Sequence, residues 1–242
     1  MISKVFHLTA KSKHDLPQSF VKNIDRIKAL YPEYEIRIHD DADIQNFLKA
    51  NYKDYYDNVI CQMPKFIMVV DTVRYVWMKH YGGVYCDMDI FFRKRFDFGG
   101  GGAVFVKREW TWPKDSSITD SVHNCWFASE AEHPIWDEIL DGIAANVRAL
   151  RGQKERKLAS GQLNIFIQKV LGKLRLRERY FPIVFNVTGP NAISKIITQR
   201  GLLQKYKDVR VAPASDIFQQ GISKGNPSEA FFVHETAGSW AE

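Results

Sequence analysis

Two aspartates interrupt an apolar run in the stretch 82-GGVYCDMDIFF-92. The run from Val84 to Phe92 predicts a buried strand of an α/β sheet. Side chains two residues apart in a strand point to the same side, so Asp87 and Asp89 are expected to project together from its carboxyl end. Ligands of open α/β sheets bind at that edge of the sheet. The sequence therefore predicts a ligand site where this strand ends.

The paired aspartates predict a divalent cation. Two carboxylates held within about 7 Å repel each other unless a cation neutralises them. Oxygen-only ligands favour Mg²⁺ or Mn²⁺, with substrate phosphates and water completing the coordination. A bare Asp-x-Asp triplet is common by chance, and capping of a strand end or pairing with a surface lysine is the simpler explanation. The adjoining glycine turn, apolar strand and preceding helix favour the metal site.

The helix predicted over residues 65–81 is apolar almost all round and ends at Gly82-Gly83. Asp71 and Arg74 lie three residues apart on one face of this helix. A surface pair contributes only about 0.2–0.5 kcal/mol, which does not explain two charges on so apolar a helix. Two interpretations stay open: a buried structural ion pair, or a pair that reaches the ligand, the carboxylate binding hydroxyls and the guanidinium an oxygen-rich leaving group.

The surrounding elements predict an α/β fold with a mainly parallel central sheet. Further strands are predicted at residues 4–8, 34–39, 103–106 and 125–128, and further helices at residues 17–30, 41–48 and 134–150. The chain is expected to form one domain over residues 1–242, with a core over 1–92 and a helical, basic segment over about 134–180. The glycines at 99–102 predict a flexible turn, with a phosphate cradle as the alternative.

Composition and charge narrow the classes of function. Hydrophobic residues make up 45% of the 242 residues and the net charge is +6, which fits a globular protein that meets anionic substrates, an acidic membrane or nucleic acid. Three cysteines without CxxC spacing predict neither a disulfide framework nor a zinc site. Without a secretory leader or a bilayer-spanning run, a cytoplasmic location is expected. The basic residues of 151–179 predict either a solvated helix face or a patch for anionic lipid, which would place the protein peripherally at the inner face of the membrane.

The pattern Asp71-x-x-Arg74-Tyr75, then Tyr81-Gly82-Gly83-Val84-Tyr85-x-Asp87-x-Asp89, resembles the DXD sugar transferases of glycosyltransferase family 32. That family includes yeast-type α-mannosyltransferases, α-1,4-galactosyl- and N-acetylglucosaminyltransferases and bacterial capsule enzymes, and clostridial glucosylating toxins share its core motif. Further matches over nearly the full length are 4-KVFHL-8, Asn124, 188-TGP-190, His234 and 238-GSW-240. Where the family usually has a tryptophan shortly after the first histidine, this chain has Leu8-Thr9-Ala10.

The resemblance implies a GT-A type Rossmann-like fold, whose nucleotide-sugar-binding core would be residues 1–92. It implies metal-dependent transfer of a hexose from a nucleotide-diphosphate sugar, with retention of the anomeric configuration. A UDP-hexose is favoured over GDP-mannose as donor. The expected acceptor is a glycan or a lipid-linked saccharide, as in bacterial surface polysaccharide synthesis.

The resemblance also assigns roles to individual residues. Asp71 and Arg74 would hold the donor sugar, Asp87 would contact ribose and sugar hydroxyls, and these three form the predicted catalytic set. Asp87, Asp89 and His234 form the predicted metal-binding set. The predicted donor-binding set comprises His7, Tyr75, Gly83, Asn124, Ser239 and Trp240, of which Ser239 and Trp240 would close over the phosphates.

Two other functions stay open from the residues alone. A haloacid-dehalogenase-type phosphohydrolase also carries DxD after an apolar strand, with the first aspartate as nucleophile, but Phe91 stands where Thr or Val is expected and no GDxxxD follows. A nucleic-acid-binding module would use the basic segment, but neither an RNP-type aromatic platform nor a helix-turn-helix pattern is present. The prediction is therefore a glycosyltransferase without a nucleic-acid partner.

Overall fold

The computed structural model describes residues 1–109, 111, 114–159, 176–219 and 226–235. Its strands are β1 (Val5–Thr9), β2 (Glu35–His39), β3 (Gly83–Cys86), β4 (Ile90–Phe92), β5 (Ala103–Lys107), β6 (Val122–Ser129), β7 (Val209–Ala212), β8 (Ile217–Gln219) and β9 (Phe232–His234). Its helices are α1 (Gln18–Leu30), α2 (Asp41–Asn51), α3 (Lys53–Asn58), α4 (Phe66–His80), α5 (Ile135–Ala159), α6 (Leu176–Val187), α7 (Pro190–Gln199) and α8 (Leu202–Lys205). Two 3₁₀ turns, Ile60–Gln62 and Ala214–Asp216, complete the regular structure described.

A six-stranded sheet in the order β2-β1-β3-β6-β5-β7 forms the centre of the fold. Strand β6 runs antiparallel to its neighbours β3 and β5, and the other three pairings are parallel. Strand β1 lies between β2 and β3, with Phe6 opposite Val84 and His7 opposite Tyr85. The predicted α/β fold with a mainly parallel sheet is confirmed.

Alternation along the central strands sends side chains into two separate cores. In β3, Val84 and Cys86 belong to the core that includes Ile24 and Ile27 of α1. Tyr85 between them belongs to the core of the opposite face, which contains α4, α5 and α7. Because both faces are covered, β3 and β5 carry apolar residues at nearly every position.

The prediction of one strand over residues 84–92 is wrong in its extent, because this run contributes strands to two different sheets. Strand β3 ends at Cys86, and β4 belongs to a three-stranded sheet in the order β4-β9-β8. Between them lies a β-turn closed by a hydrogen bond from the Ile90 N–H to the Asp87 carbonyl oxygen (3.0 Å). Asp87 and Asp89 therefore lie on a turn at the end of β3, and not on one face of a continuous strand.

The connection from α4 into β3 depends on two glycines. Gly82 and Gly83 have φ values of +63° and +90°, which glycine adopts at little cost. A Cβ on Gly83 would lie 2.5 Å from the carbonyl oxygen of Val5, so a larger residue does not fit against β1. The chain reverses direction between α4 and β3, so Asp71 and Arg74 in the middle of α4 lie near Asp87 at the carboxyl end of β3.

The remaining predicted elements lie close to their expected positions. Asp40 caps α2, accepting hydrogen bonds from the N–H groups of Ala42 (3.1 Å) and Asp43 (3.0 Å). Residues 99–102 form an irregular bend at the amino end of β5, which is the opposite edge of the sheet from Asp87 because β5 and β3 are parallel to each other. The glycine run and the aspartates therefore do not form one site.

The predicted helical segment near residues 134–180 corresponds to α5 and α6. Residues 160–175 between them, and the side chains of residues 154–181, lie outside the described residues. Among the helices that the structure describes, none is both long enough and apolar enough to span a bilayer.

Candidate active site

The turn from Asp87 to Ile90 lies where the two sheets meet. The Asp87 N–H donates to the Cys125 carbonyl oxygen (2.8 Å), which extends the β3–β6 pairing by one residue. In the small sheet Ile90 pairs with His234, and this register brings the His234 Nε2 atom to 3.5 Å from Asp89 Oδ2. The side chains of Asp87 and Asp89 are 27% and 16% exposed, so both retain contact with solvent.

Arg74 is the centre of a buried charge network. Its guanidinium nitrogens lie 3.2 Å from Asp71 Oδ1 and 3.1 Å from Asp87 Oδ1. The same group donates a hydrogen bond to the backbone oxygen of Asn124 (2.8 Å). It also lies over the ring of Tyr85, with its central carbon 4.7 Å from the ring centroid. One buried cation thereby connects α4 to the aspartate turn.

Asp71 is held by hydrogen bonds on both carboxylate oxygens. The Asn124 amide donates to Oδ1 (3.1 Å) and the Thr188 hydroxyl donates to Oδ2 (3.1 Å). Tyr75 supports this arrangement from behind by donating its hydroxyl to the Thr188 carbonyl oxygen (2.9 Å). A Cβ on Gly189 would lie 3.1 Å from the Val184 carbonyl oxygen, so a larger residue before α7 would crowd the end of α6.

Burial and neighbouring charges set the protonation of these groups. Burial raises the pKa of Asp71 to about 6 while Arg74 opposes the shift, so this carboxyl is ionised at neutral pH. Burial also raises the pKa of Asp87, again against the influence of Arg74. Burial disfavours the charged form of Arg74, but Asp87 and the other acidic groups around it raise its pKa, and it stays protonated. Arg74 and the protonated His234 face the three carboxylates of Asp71, Asp87 and Asp89, so the site keeps a net negative charge that favours a further cation.

Asp87, Asp89 and His234 are the residues that could hold a divalent metal. Within the described ranges, no three His, Cys, Asp or Glu side chains converge closely enough to bind a metal by themselves. This fits an ion of the Mg²⁺ type, which is commonly held by one or two carboxylates and completed by substrate phosphates and water. Burial opposes protonation of His234, but Cys125 and the hydrogen bond to Asp89 raise the pKa of its imidazole. A metal bound here competes with that proton.

Three members of the predicted donor-binding set do not line this site. His7 is fully buried and its ring stacks on that of Trp77, with the centroids 5.7 Å apart. Tyr75 is also fully buried, and its hydroxyl donates to the Thr188 carbonyl oxygen behind Asp71. Gly83 is the first residue of β3 and packs against β1, whereas Asp87 follows the last residue of that strand. Their positions are explained by packing and by the turn into β3.

The other predicted residues divide into two groups. Asp71, Arg74, Asp87 and Asn124 form one hydrogen-bonded network, and Asp89 and His234 lie beside it. Ser239 and Trp240 lie outside the described residues, so their closure over phosphates stays a prediction.

The structure adds polar contacts of Tyr85, Thr188 and Asn23 that the sequence analysis did not predict. Tyr85 donates its hydroxyl to Asp87 Oδ1 and lies 3.3 Å from the Thr9 hydroxyl. Thr188 donates a hydrogen bond to Asp71. The resemblance includes the match 188-TGP-190 but gave Thr188 no role. Asn23 of α1 binds the aspartate turn, and a polar residue on the apolar face of a predicted helix was the signal that could have found it.

The chain is similar in sequence to a known family of sugar-binding regions and to a fungal enzyme. Residues 17–106 match the family model described as a glycosyltransferase sugar-binding region containing a DXD motif. Inositol phosphoceramide mannosyltransferase 1 of Schizosaccharomyces pombe is 26% identical over 99% of this chain, and the chain spans 62% of that protein's length.

Two solved structures share the fold. The PaToxG glycosyltransferase superposes with a TM-score of 0.50 at 19% identity, covering 84% of this chain and 72% of that one. The ligand-free glycosyltransferase domain of the YGT toxin superposes with a TM-score of 0.55 at 10% identity, covering 87% and 79%. Both are glycosyltransferases of the GT-A fold. Together with the match of residues 17–106 to the DXD-containing sugar-binding region, these superpositions show that the chain shares the GT-A fold of such glycosyltransferases.

Proposed function

We propose that this protein transfers a hexose, with mannose the first candidate, from a nucleotide-diphosphate sugar to a lipid that carries an inositol phosphate. The observation that carries the transfer reaction is the Asp71–Arg74–Asp87 network beside the partly exposed Asp89 and His234. The similarity to an inositol phosphoceramide mannosyltransferase along 99% of the chain supports the acceptor class. The UDP-hexose donor and the bacterial polysaccharide acceptor stay alternative predictions.

Donor binding requires a positive charge to meet the diphosphate. Asp89 and His234, with Asp87, would hold Mn²⁺ or Mg²⁺ against the phosphates. The metal supplies Lewis-acid stabilisation of the negative charge that develops on the departing nucleotide. Arg74, which is protonated and held in place on several sides, adds a fixed positive charge next to the same site.

The sugar hydroxyls require acceptors of fixed orientation. Within the described part of the chain, Arg74 and Tyr85 both bind Asp87 through Oδ1, which leaves Oδ2 for a hydroxyl of the donor. Asp71 uses both oxygens inside the protein. We assign Asp71 first to the orientation of Arg74, with direct sugar contact dependent on movement of Thr188 or Asn124.

The proposed acceptor can be tested by product analysis. The protein would be incubated with Mn²⁺ and GDP-mannose, UDP-glucose or UDP-galactose, with vesicles containing inositol phosphoceramide, vesicles containing ceramide alone, or a free oligosaccharide. We expect mass spectrometry to find one added hexose on the inositol-bearing lipid with GDP-mannose. Transfer only to the oligosaccharide would refute the lipid acceptor, and hydrolysis of a phosphomonoester without sugar transfer would refute the proposed reaction.

A lipid acceptor implies that the enzyme works at a membrane surface. We propose a cytoplasmic protein that binds peripherally to the inner face of an anionic membrane, supported by the net charge of +6 and the basic residues of 151–179. Flotation with phosphatidylglycerol vesicles should show binding at low salt and release at high salt. An equal absence of binding at both salt concentrations would contradict this part of the proposal.

A further inference from the structure

The buried side chain of Asn23 binds the aspartate turn from the opposite side to Arg74. Asn23 lies on α1 and is 1% exposed. Its Nδ2 atom donates hydrogen bonds to the carbonyl oxygens of Met88 (3.1 Å) and Ile90 (2.7 Å). These two carbonyls belong to the residues on either side of Asp89. One amide group therefore fixes the main chain before and after the predicted metal ligand.

The backbone of the turn is held at every carbonyl oxygen. The carbonyls of Asp87, Met88, Asp89 and Ile90 accept hydrogen bonds from Ile90 N–H, Asn23 Nδ2, Glu235 N–H and Asn23 Nδ2, respectively. Two of these four bonds come from main-chain donors, which no substitution other than proline removes. The other two come from the one side chain of Asn23. Substitution of Asn23 would therefore remove two of the four hydrogen bonds that hold the carbonyls of the turn.

The amide of Asn23 is oriented for this task. Two carbonyl oxygens require a donor, so Nδ2 and not Oδ1 must face the turn. The Oδ1 atom on the other side is buried and has no hydrogen-bond partner within the described part of the chain. An unsatisfied buried acceptor is unfavourable, and an apolar side chain would avoid it among the apolar neighbours Ile24 and Ile27. The two bonds to the turn are the compensating gain.

We propose that Asn23 is a positioning residue for the metal-binding turn. By fixing the carbonyls on both sides of Asp89, it holds the Asp89 carboxylate beside His234 in the orientation that binds a divalent cation against the donor diphosphate. Residues that orient metal ligands in this way affect metal affinity even though they do not touch the metal. The inference rests on the proposed metal-dependent function of this site.

The test compares metal binding with stability. Asn23→Asp keeps the size of the side chain but replaces the donor nitrogen with an oxygen, and Asn23→Ala removes both bonds. Ile27→Ala is the matched control, because Ile27 is a fully buried residue of the same helix that packs in the same core. Binding of Mn²⁺ in the presence of a nucleoside diphosphate would be measured by calorimetry, and the melting temperature would be measured in EDTA.

We expect both Asn23 variants to bind Mn²⁺ about 10–100-fold more weakly than the wild type. Ile27→Ala should lower the melting temperature at least as much but keep wild-type affinity for Mn²⁺. If folded Asn23→Asp and Asn23→Ala bind Mn²⁺ with wild-type affinity, the inference about Asn23 is wrong, while the proposed metal site stands. An absence of Mn²⁺ binding in the wild-type protein would instead refute the proposed metal site, and the inference with it.

A measurement on the wild-type protein keeps the inference testable if both Asn23 variants fail to fold. NMR should show slowly exchanging side-chain amide protons for Asn23, and these resonances should shift when Mg²⁺ and the nucleotide are added. Resonances that are unchanged by Mg²⁺ would contradict a role in positioning the metal ligand.

Discussion

Arg74 shows how charge is accommodated on a helix whose other side chains are mostly apolar. Its guanidinium is 4% exposed and lies within ion-pair distance of both Asp71 and Asp87. A buried ion pair of this kind is not by itself evidence of stability, because burial of both charges opposes their attraction. Its extension to Asp87, on a turn that reaches solvent, is what would connect the pair to a ligand. Of the two interpretations left open by the sequence, the buried ion pair is observed, and the ligand-binding role stays a prediction.

Removing the charge of Asp71 should affect catalysis more than folding. Asp71→Asn keeps the size of the side chain, but an amide nitrogen must then face one of the donors, Asn124 or Thr188, that bind the carboxylate. We expect a loss of about 1–3 kcal/mol in the free energy of unfolding and a fall in sugar transfer of at least about a hundredfold, on the order of the effect of losing one positioned charge. Kinetics and urea unfolding would measure the two effects.

The matched control is Asp137→Asn, which makes the same change in an exposed pair with Lys79 and should leave both quantities near the wild type. Normal transfer by a destabilised Asp71→Asn protein would show that the pair is only structural.

At the scale of elements, the aspartate turn shows what local sequence patterns can and cannot predict. The helix α4, the glycine connection and the start of β3 were predicted because their signals lie within a few residues of each other. The end of β3 was not predicted, because the run from Val84 to Phe92 is mostly apolar both in β3, which belongs to the large sheet, and in β4, which belongs to the small one. What bends the chain there are contacts with Asn23 and Cys125, which are distant in sequence. The pattern of residues within 84–92 does not indicate these contacts.

The connection between α4 and β3 provides a test of the role of Gly83. Gly83→Ala places a Cβ at φ +90° and 2.5 Å from the Val5 carbonyl oxygen. We expect a loss of about 1–3 kcal/mol, seen as a melting temperature lower by several degrees. Gly100→Ala is the control, since no atom lies within 4 Å of its Cβ position. An unchanged melting temperature with weakened nucleotide binding would support donor contact by Gly83 instead.

A stack of rings joins β1, β2 and α4 and should make stability depend on pH. His7 and His39 contact each other through Nδ1 and Nε2 (3.1 Å), and both stack on Trp77. Burial lowers the pKa of His7 to about 3 and that of His39 to about 4, from ordinary values near 6.5. Both rings are neutral in the fold, whereas the unfolded chain binds protons below pH 6.5. The stability that these two histidines contribute is therefore present above pH 6.5 and is lost progressively as the pH falls toward their folded pKa values of about 4 and 3.

Urea unfolding at pH 7 and pH 5 measures this dependence. We expect His7 to contribute on the order of 2 kcal/mol to the loss of stability between the two pH values. His7→Gln should reduce the loss by that amount, whereas the same change at the exposed His14 should not. An equal loss in wild type and His7→Gln would show that His7 is not the cause.

On the scale of the whole molecule, the central sheet separates two apolar cores and brings polar groups from distant segments to one edge. Strand β1 contributes Thr9, β3 leads into the turn, β6 contributes Asn124, and the start of α7 follows Thr188. The sequence analysis predicted the fold class, and through the resemblance it named the aspartates of the turn and Asn124 as site residues, but it gave no role to Thr9 or Thr188. It could not predict that His7 and Tyr75 would be packed inside, because the resemblance gives positions and not the direction of side chains.

Metal-dependent binding of the nucleotide-sugar donor is the central prediction for this protein. Calorimetric titration with a nucleotide-diphosphate hexose would be carried out in Mn²⁺ and in EDTA, for the wild type, Asp89→Asn and the exposed control Asp97→Asn. We predict binding by the wild type and Asp97→Asn in Mn²⁺, loss of binding in EDTA, and loss of binding in folded Asp89→Asn, because Asp89 lies beside His234 at the predicted metal position. Equal binding by Asp89→Asn, or by the wild type in EDTA, would contradict the account.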